Sequence, residues 1–183
     1  PSAAEANFRM FCNSLKPLIE TNSSELKIFE DISNSFSVKM DQELKKMWTR
    51  KIGLKVCDEF LIDDLIDILC LTKADFTKFF RILSEIPDGI DKFKESFYYP
   101  LSKEVEIQFL NWFMRWRELI NKNEDLKAVS NEMKLINPKF SWREWLVASA
   151  YQKAEVGDYS EVYELLEVFS NPYDEHSNET QEK

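Results

Sequence analysis

The first residues whose types and spacing could do chemistry are Asp63, Asp64 and Asp67, in the string DDLID. Acids three and four apart share a helix face and could hold Mg²⁺ between their carboxylates, an arrangement that can grip a diphosphate. A closed site of that kind needs further oxygen ligands and an apolar cavity. The chain offers no second helical motif of acid, Asn and Ser of the kind such a site needs, so a solvated face opposite Leu61, Leu65, Ile68 and Leu69 is expected instead. A second candidate set is Trp112, Phe113, Trp116, Trp142 and Trp145. Their spacing puts each group on one helix face, which predicts core packing, with a base-stacking or peptide groove as the sharper alternative. Arg115, Arg117 and Arg143 could clamp a phosphate or carboxylate, but pairing with the domain's own acids is expected.

Nucleophilic catalysis has little to draw on. His176 is the one histidine and lies in a polar tail, so no internal imidazole can activate Cys12, Cys57, Cys70 or a serine. Three cysteines are an odd number at spacings that match no zinc signature, and buried free thiols in a reducing compartment are expected. With three glycines in the chain, no phosphate loop and no nucleophile elbow can be written. No catalytic, cofactor-binding or metal-binding residue is therefore assigned.

The elements that would position these residues read as helices throughout. Phe8, Phe11, Leu15 and Leu18 form a stripe over Glu5 to Ile19, strained or ended by Pro17. Ser24 can cap a long helix carrying Leu26, Phe29, Ile32, Phe36, Met40, Leu44 and Met47, with Gly53 as its stop. Asp58, Asp75 and Ser102 can cap three more, and Pro87 ends the second of these. Asp88 to Pro100 reads as a loop with a short helix, and Glu124 to Ile136 as a polar helix stopped by Asn137-Pro138. Ser141 with Glu144, and Asp158 with Glu161, read as capping boxes of the last two helices, the first of which ends at Gly157.

The fold class is thus all-α, an irregular bundle of about seven or eight helices. One domain is expected over 1–173, with an acidic, disordered tail over 174–183. A net charge of −9 over 183 residues repels phosphate, so neither nucleic acid nor an anionic membrane is expected as partner. The chain begins at Pro1, which suggests processing or a piece of something longer.

Three sets of strings add a resemblance: WTRKIGL (Trp48 to Leu54) with DFTKFFRILSEIP (Asp75 to Pro87); WFMRWREL (Trp112 to Leu119); and NPKFSWREWL (Asn137 to Leu146) with GDYSEVYELLEVFSNPYDE (Gly157 to Glu175). In this order they resemble the C-terminal region of the selenoprotein O family, also called the YdiU family. The likeness spans about Phe8 to Glu175 and is most specific over 137–174. It implies a protein-kinase-like parent that binds ATP with Mg²⁺ or Mn²⁺ and transfers AMP to Ser, Thr or Tyr hydroxyls of protein substrates. It also implies a mitochondrial location in eukaryotes and a cytoplasmic one in bacteria.

The family's phosphate loop, lysine, arginines and metal-binding Asn and Asp lie upstream of the matched region, and their motifs do not occur here. Asp75 and Arg81 match family positions and are expected to be a helix cap and a helix-surface or interdomain contact. Many eukaryotic members end in a cysteine–selenocysteine redox motif; this chain ends HSNETQEK, so none is predicted. The implied role is a supporting extension of a kinase-like fold, with the N-terminal core of the same protein as its partner. The alternatives are a freestanding helical interaction module, because Ala150 to Glu167 resembles half a tetratricopeptide unit, and a terpene-synthase-like enzyme using Asp63, Asp64 and Asp67.

Overall fold

A computed structural model describes residues 2–19, 23–122 and 125–176. Among them are eight α-helices and two 3₁₀ segments, and the β pairing is a single bridge between Ala74 and Phe97. The all-α expectation holds. The chain divides into two compact units, Pro1–Trp48 and Thr49–Lys183, where the sequence suggests one domain over 1–173. None of the described helices is long and apolar enough to cross a membrane.

In the first unit, α1 (Ser2–Leu15) runs into a 3₁₀ turn (Lys16–Leu18), with Pro17 near the turn's start, as a fixed φ and missing N–H favour. The long α2 (Ser23–Lys51) follows. It begins one residue before Ser24, which therefore sits in the first turn rather than at the cap. Phe8 of α1 stacks on Phe36 of α2 with centroids 4.4 Å apart, beside the buried Cys12. Phe11 and Leu18 of the predicted stripe are exposed.

The second unit holds the large core. α2 ends in a Schellman motif: Gly53 sits at φ +73°, its N–H meets Arg50 O, and the Leu54 N–H meets Thr49 O. Asp58 caps α3 (Glu59–Thr72) through the Leu61 N–H, Asp75 caps α4 (Phe76–Ser84) through Lys78, and Ser102 caps α5 (Lys103–Ile120) through Val105. All three caps are as expected, and each spends one otherwise orphaned helix donor. A 3₁₀ segment (Asp91–Ser96) brings Phe93 against Phe79 of α4 and Phe109 of α5, at centroid distances of 4.9 and 5.2 Å.

α6 (Leu126–Lys134) is capped by Asp125, and α7 (Glu144–Glu155) packs on α8 (Ser160–Ser170). α7 closes in a second Schellman motif at Gly157, φ +87°, with the Asp158 N–H on Lys153 O. The two predicted capping boxes do not form. Ser141 instead shares a 2.9 Å hydrogen bond with Thr77, and α7 starts after an uncapped Arg143. Glu161 reaches back to Ser149 on α7, while Asp158 accepts from the Ser160 N–H.

Candidate functional site

The second unit's most heavily committed polar side chain is Arg81, on the last turn of α4 and buried at 9% exposure. One guanidinium nitrogen donates to the carbonyls of Lys134 and Asn137 at 3.1 and 3.0 Å. The other donates to Tyr173 O at 3.2 Å and Glu175 Oε1 at 2.5 Å. A buried guanidinium is tolerable only with its donors satisfied, and here two distant loops satisfy them. Arg81 is therefore an internal clasp, and the surface or interdomain role expected for it is corrected.

Around it the network closes. Asn137, fully buried, donates through Nδ2 to Lys51 O and Ser84 Oγ and accepts the Lys51 ammonium on Oδ1 at 2.8 Å. Lys51 also lies 4.1 Å from the centre of the Phe80 ring. Burial pushes its ammonium from the usual 10.5 down to about 8. Pro172 O accepts from the N–H groups of Lys139 and Phe140, and the Lys139 ammonium meets Glu175 at 2.9 Å. The Lys139 ammonium, with help from Arg81 and against some desolvation, holds the Glu175 carboxyl at about 2, well below 4.5. Glu175 and His176, assigned by sequence to the tail, are thus tied down, His176 by a 2.9 Å contact to Asn171 O. The rest of the expected tail, 177–183, lies outside the described residues.

The same logic explains the other strings. Trp112 and Trp116 bury their rings and donate their indole N–H groups to Leu61 O and Ile52 O, both at 2.8 Å. Arg117 donates to Ile86 O and Asp88, holding the turn where Ile86 adopts φ +52°, a costly value for a β-branched residue. Arg115 pairs with Asp64, and Arg143 with Asp75 at 2.7 Å, so all three arginines pair internally as expected. Trp142 and Trp145 depart from the core-packing expectation, at 62% and 67% exposure. Trp145 borders a groove of about 610 Å³ between α4, α7 and α8, lined also by Ile82, Phe140, Arg143, Leu146 and Phe169, and Trp142 packs on Phe169 with ring centroids 5.3 Å apart.

Asp63, Asp64 and Asp67 line the exposed face of α3, as expected, and no three or more His, Cys, Asp or Glu converge on a metal-sized site among the described residues. Cys12 is buried, but Cys57 and Cys70 are exposed, which corrects the expectation of three buried thiols. The clasp was missed because Arg81 sits amid a helical string like any surface arginine. The available signal was the coincidence of an arginine and a terminal PYDE inside otherwise unexplained strings.

Fold and site together define an all-helical protein tied around a buried arginine–asparagine network. A family model described as Protein adenylyltransferase SelO matches residues 1–170. The chain is 32% identical to the protein nucleotidyltransferase YdiU of Flavobacterium johnsoniae, covering 96% of this chain and 35% of that protein. It is 32% identical to the YdiU of Clostridium botulinum, covering 98% of this chain and 35% of the relative. Against the YdiU of Vibrio parahaemolyticus identity is 28%, over 95% and 36%. The chain belongs to the SelO family, as its strings suggested, and it spans about a third of the length of these relatives.

Proposed function

We propose that this chain is the C-terminal helical portion of a protein adenylyltransferase with a kinase-like core. The whole protein would transfer AMP from ATP to Ser, Thr or Tyr hydroxyls of protein substrates. The chain itself would brace that core and supply no catalytic group. The carrying observation is where the family-like strings end up. Arg81, Asn137, Trp112 and Trp116 point inward and donate to acceptors within the fold, chiefly backbone carbonyls. The reaction class is that of the family and of the relatives this chain resembles.

ATP and its Mg²⁺ or Mn²⁺ do not fit the residues present. Gly53 and Gly157 close helices, and the Asp63 group is a helix face on which Asp64 is already paired with Arg115. No step of AMP transfer is therefore derived through this chain. A terpene-synthase-like role would need those acids to converge on one cavity; Asp63 alone borders an open groove beside Phe60, while Asp64 pairs with Arg115 and Asp67 is exposed. The location goes with the family resemblance: mitochondrial in a eukaryote, cytoplasmic in a bacterium.

The test compares the full-length gene product with this chain, each given Mg²⁺ or Mn²⁺, a protein acceptor and ATP labelled at the α or γ phosphate. Transfer of the α label by the full-length protein alone is the expected result. Transfer by the isolated chain would overturn the bracing role. Transfer of the γ label would make the parent a kinase. No transfer at all would favour the freestanding interaction module.

A further inference from the structure

The first helix carries charge on one side only. The charged residues of α1 are Glu5 and Arg9, and they pair with each other at 2.8 Å. Phe8 faces α2 through its stack on Phe36, and Cys12, one turn on, is buried. At about 100° per residue, Phe11 turns from there to one rim of the α1–α2 hairpin. Met10, with Ala3 and Ala6, turns to the back of α1, away from α2. Met10 is 70% exposed and Phe11 57%. A helix that is apolar on several sides is suited to the interior of a larger body.

The second helix shares the asymmetry. The contacts Phe8 with Phe36 and Lys16 with Glu30 show that the two helices run antiparallel. The Lys16–Glu30 pair marks one rim, and Glu5 and Arg9 turn to that same rim. Ile28 and Ile32, one turn apart on α2, turn to the opposite rim, where Phe11 lies, and are 60% and 51% exposed. One rim is thus charged and the other apolar. Yet among the described residues of this unit only Cys12 is buried. Two helices form one layer, and an apolar face needs a second layer to cover it.

The relatives indicate where that layer comes from. The chain covers 35% of the YdiU proteins of Flavobacterium johnsoniae and Clostridium botulinum, so roughly two-thirds of each lies outside the match. A body of that size can enclose both the apolar rim and the back of α1. A second copy of this chain would meet its like through one shared patch, leaving the other side bare.

We propose that the α1–α2 hairpin is the element of this chain that the remainder of the parent polypeptide buries. That remainder closes over Phe11, Ile28 and Ile32 on one rim and over Met10 behind α1, while the charged rim stays in water. The proposal rests on reading the chain as part of a longer adenylyltransferase, and it names the surface through which the bracing is done.

The test follows peroxide oxidation of Met10 to its sulfoxide by peptide mass spectrometry, in the full-length gene product and in this chain. Met133, fully buried in the second unit, sets the protected limit, and urea-unfolded chain sets the open one. Met10 should react near the open limit in this chain and about tenfold or more slower in the full-length protein. The sequence is unaltered, so no variant has to fold. In addition, Ile32→Lys should lower the thermal midpoint of the full-length protein and leave that of this chain in place. Lys16→Ser, on the charged rim, should move neither.

Equal oxidation of Met10 in both proteins would overturn the proposal, as would a full-length midpoint indifferent to Ile32→Lys. Protection of Met10 in this chain that grows with its concentration would assign the surface to a second copy and overturn it too. The readout is separate from the reaction. A protected Met10 in a full-length protein that transfers no AMP keeps the packing and removes the adenylyltransferase reading. AMP transfer with an unprotected Met10 removes the packing alone.

Discussion

A single guanidinium, that of Arg81, satisfies three backbone carbonyls and one carboxylate from two separate segments. Lysine cannot replace it, because one ammonium cannot reach both directions of a planar fork. Arg81→Lys should cost about 3 kcal/mol, read as a lower denaturant midpoint with an unchanged slope. An unchanged midpoint would mean the carbonyls find other donors. Glu175 adds a pH signature. Its folded carboxyl sits near 2 against an ordinary 4.5, so its contribution is full above 4.5 and is lost as pH falls towards 2. The side chain is 60% exposed, so solvent screening holds the contribution to about 1 kcal/mol at most. Glu175→Gln should therefore destabilise at pH 7 and converge on the parent near pH 2, which urea titrations at several pH values would show. At this scale sequence reading had its hardest limit. Trp112 and Trp116 announce their burial by size and spacing, whereas nothing local separates Arg81 from a surface arginine such as Arg115.

At the scale of elements, local chemistry was legible wherever a cap bonds within its own first turn. Asp58, Asp75 and Ser102 all reach the N–H three residues on, a contact written entirely in short-range sequence. The box at Ser141 and Glu144 failed because the Ser141 hydroxyl found Thr77, 64 residues away, a partner that only the fold supplies. Gly53 shows the two scales meeting. It ends α2 at positive φ, and a Cβ there would come within 2.5 Å of Met133 Sδ on α6. Gly53→Ala should cost about 2 kcal/mol, from left-handed strain and from displacing a fully buried methionine. A chemical denaturation curve within experimental error of the parent would refute that close approach.

For the whole molecule, the segment 171–176 is structural rather than appended. It supplies Pro172 O, Tyr173 O and the Glu175 carboxylate to the clasp. Removing everything after Ser170 should keep the far-ultraviolet helical signal while lowering the thermal midpoint of the Thr49–Lys183 unit by roughly 5–10 °C. A midpoint that does not move would show the segment to be dispensable. The separation of the chain into two units was hidden from the sequence because α2 carries one unbroken apolar rhythm across the boundary at Trp48. The clasp also imposes an order on biosynthesis. Arg81 and Glu175 are 94 residues apart, so at ribosomal speed the guanidinium waits roughly 5–20 s for its carboxylate. During that interval α4 and α5 can assemble their aromatic contacts and the guanidinium can take the Lys134 and Asn137 carbonyls, but the half of the fork that Tyr173 and Glu175 will fill has water to bind. The nascent chain therefore stays open on that side until residues 171–176 emerge, and the wait before then is when a holding chaperone would have the most to grip.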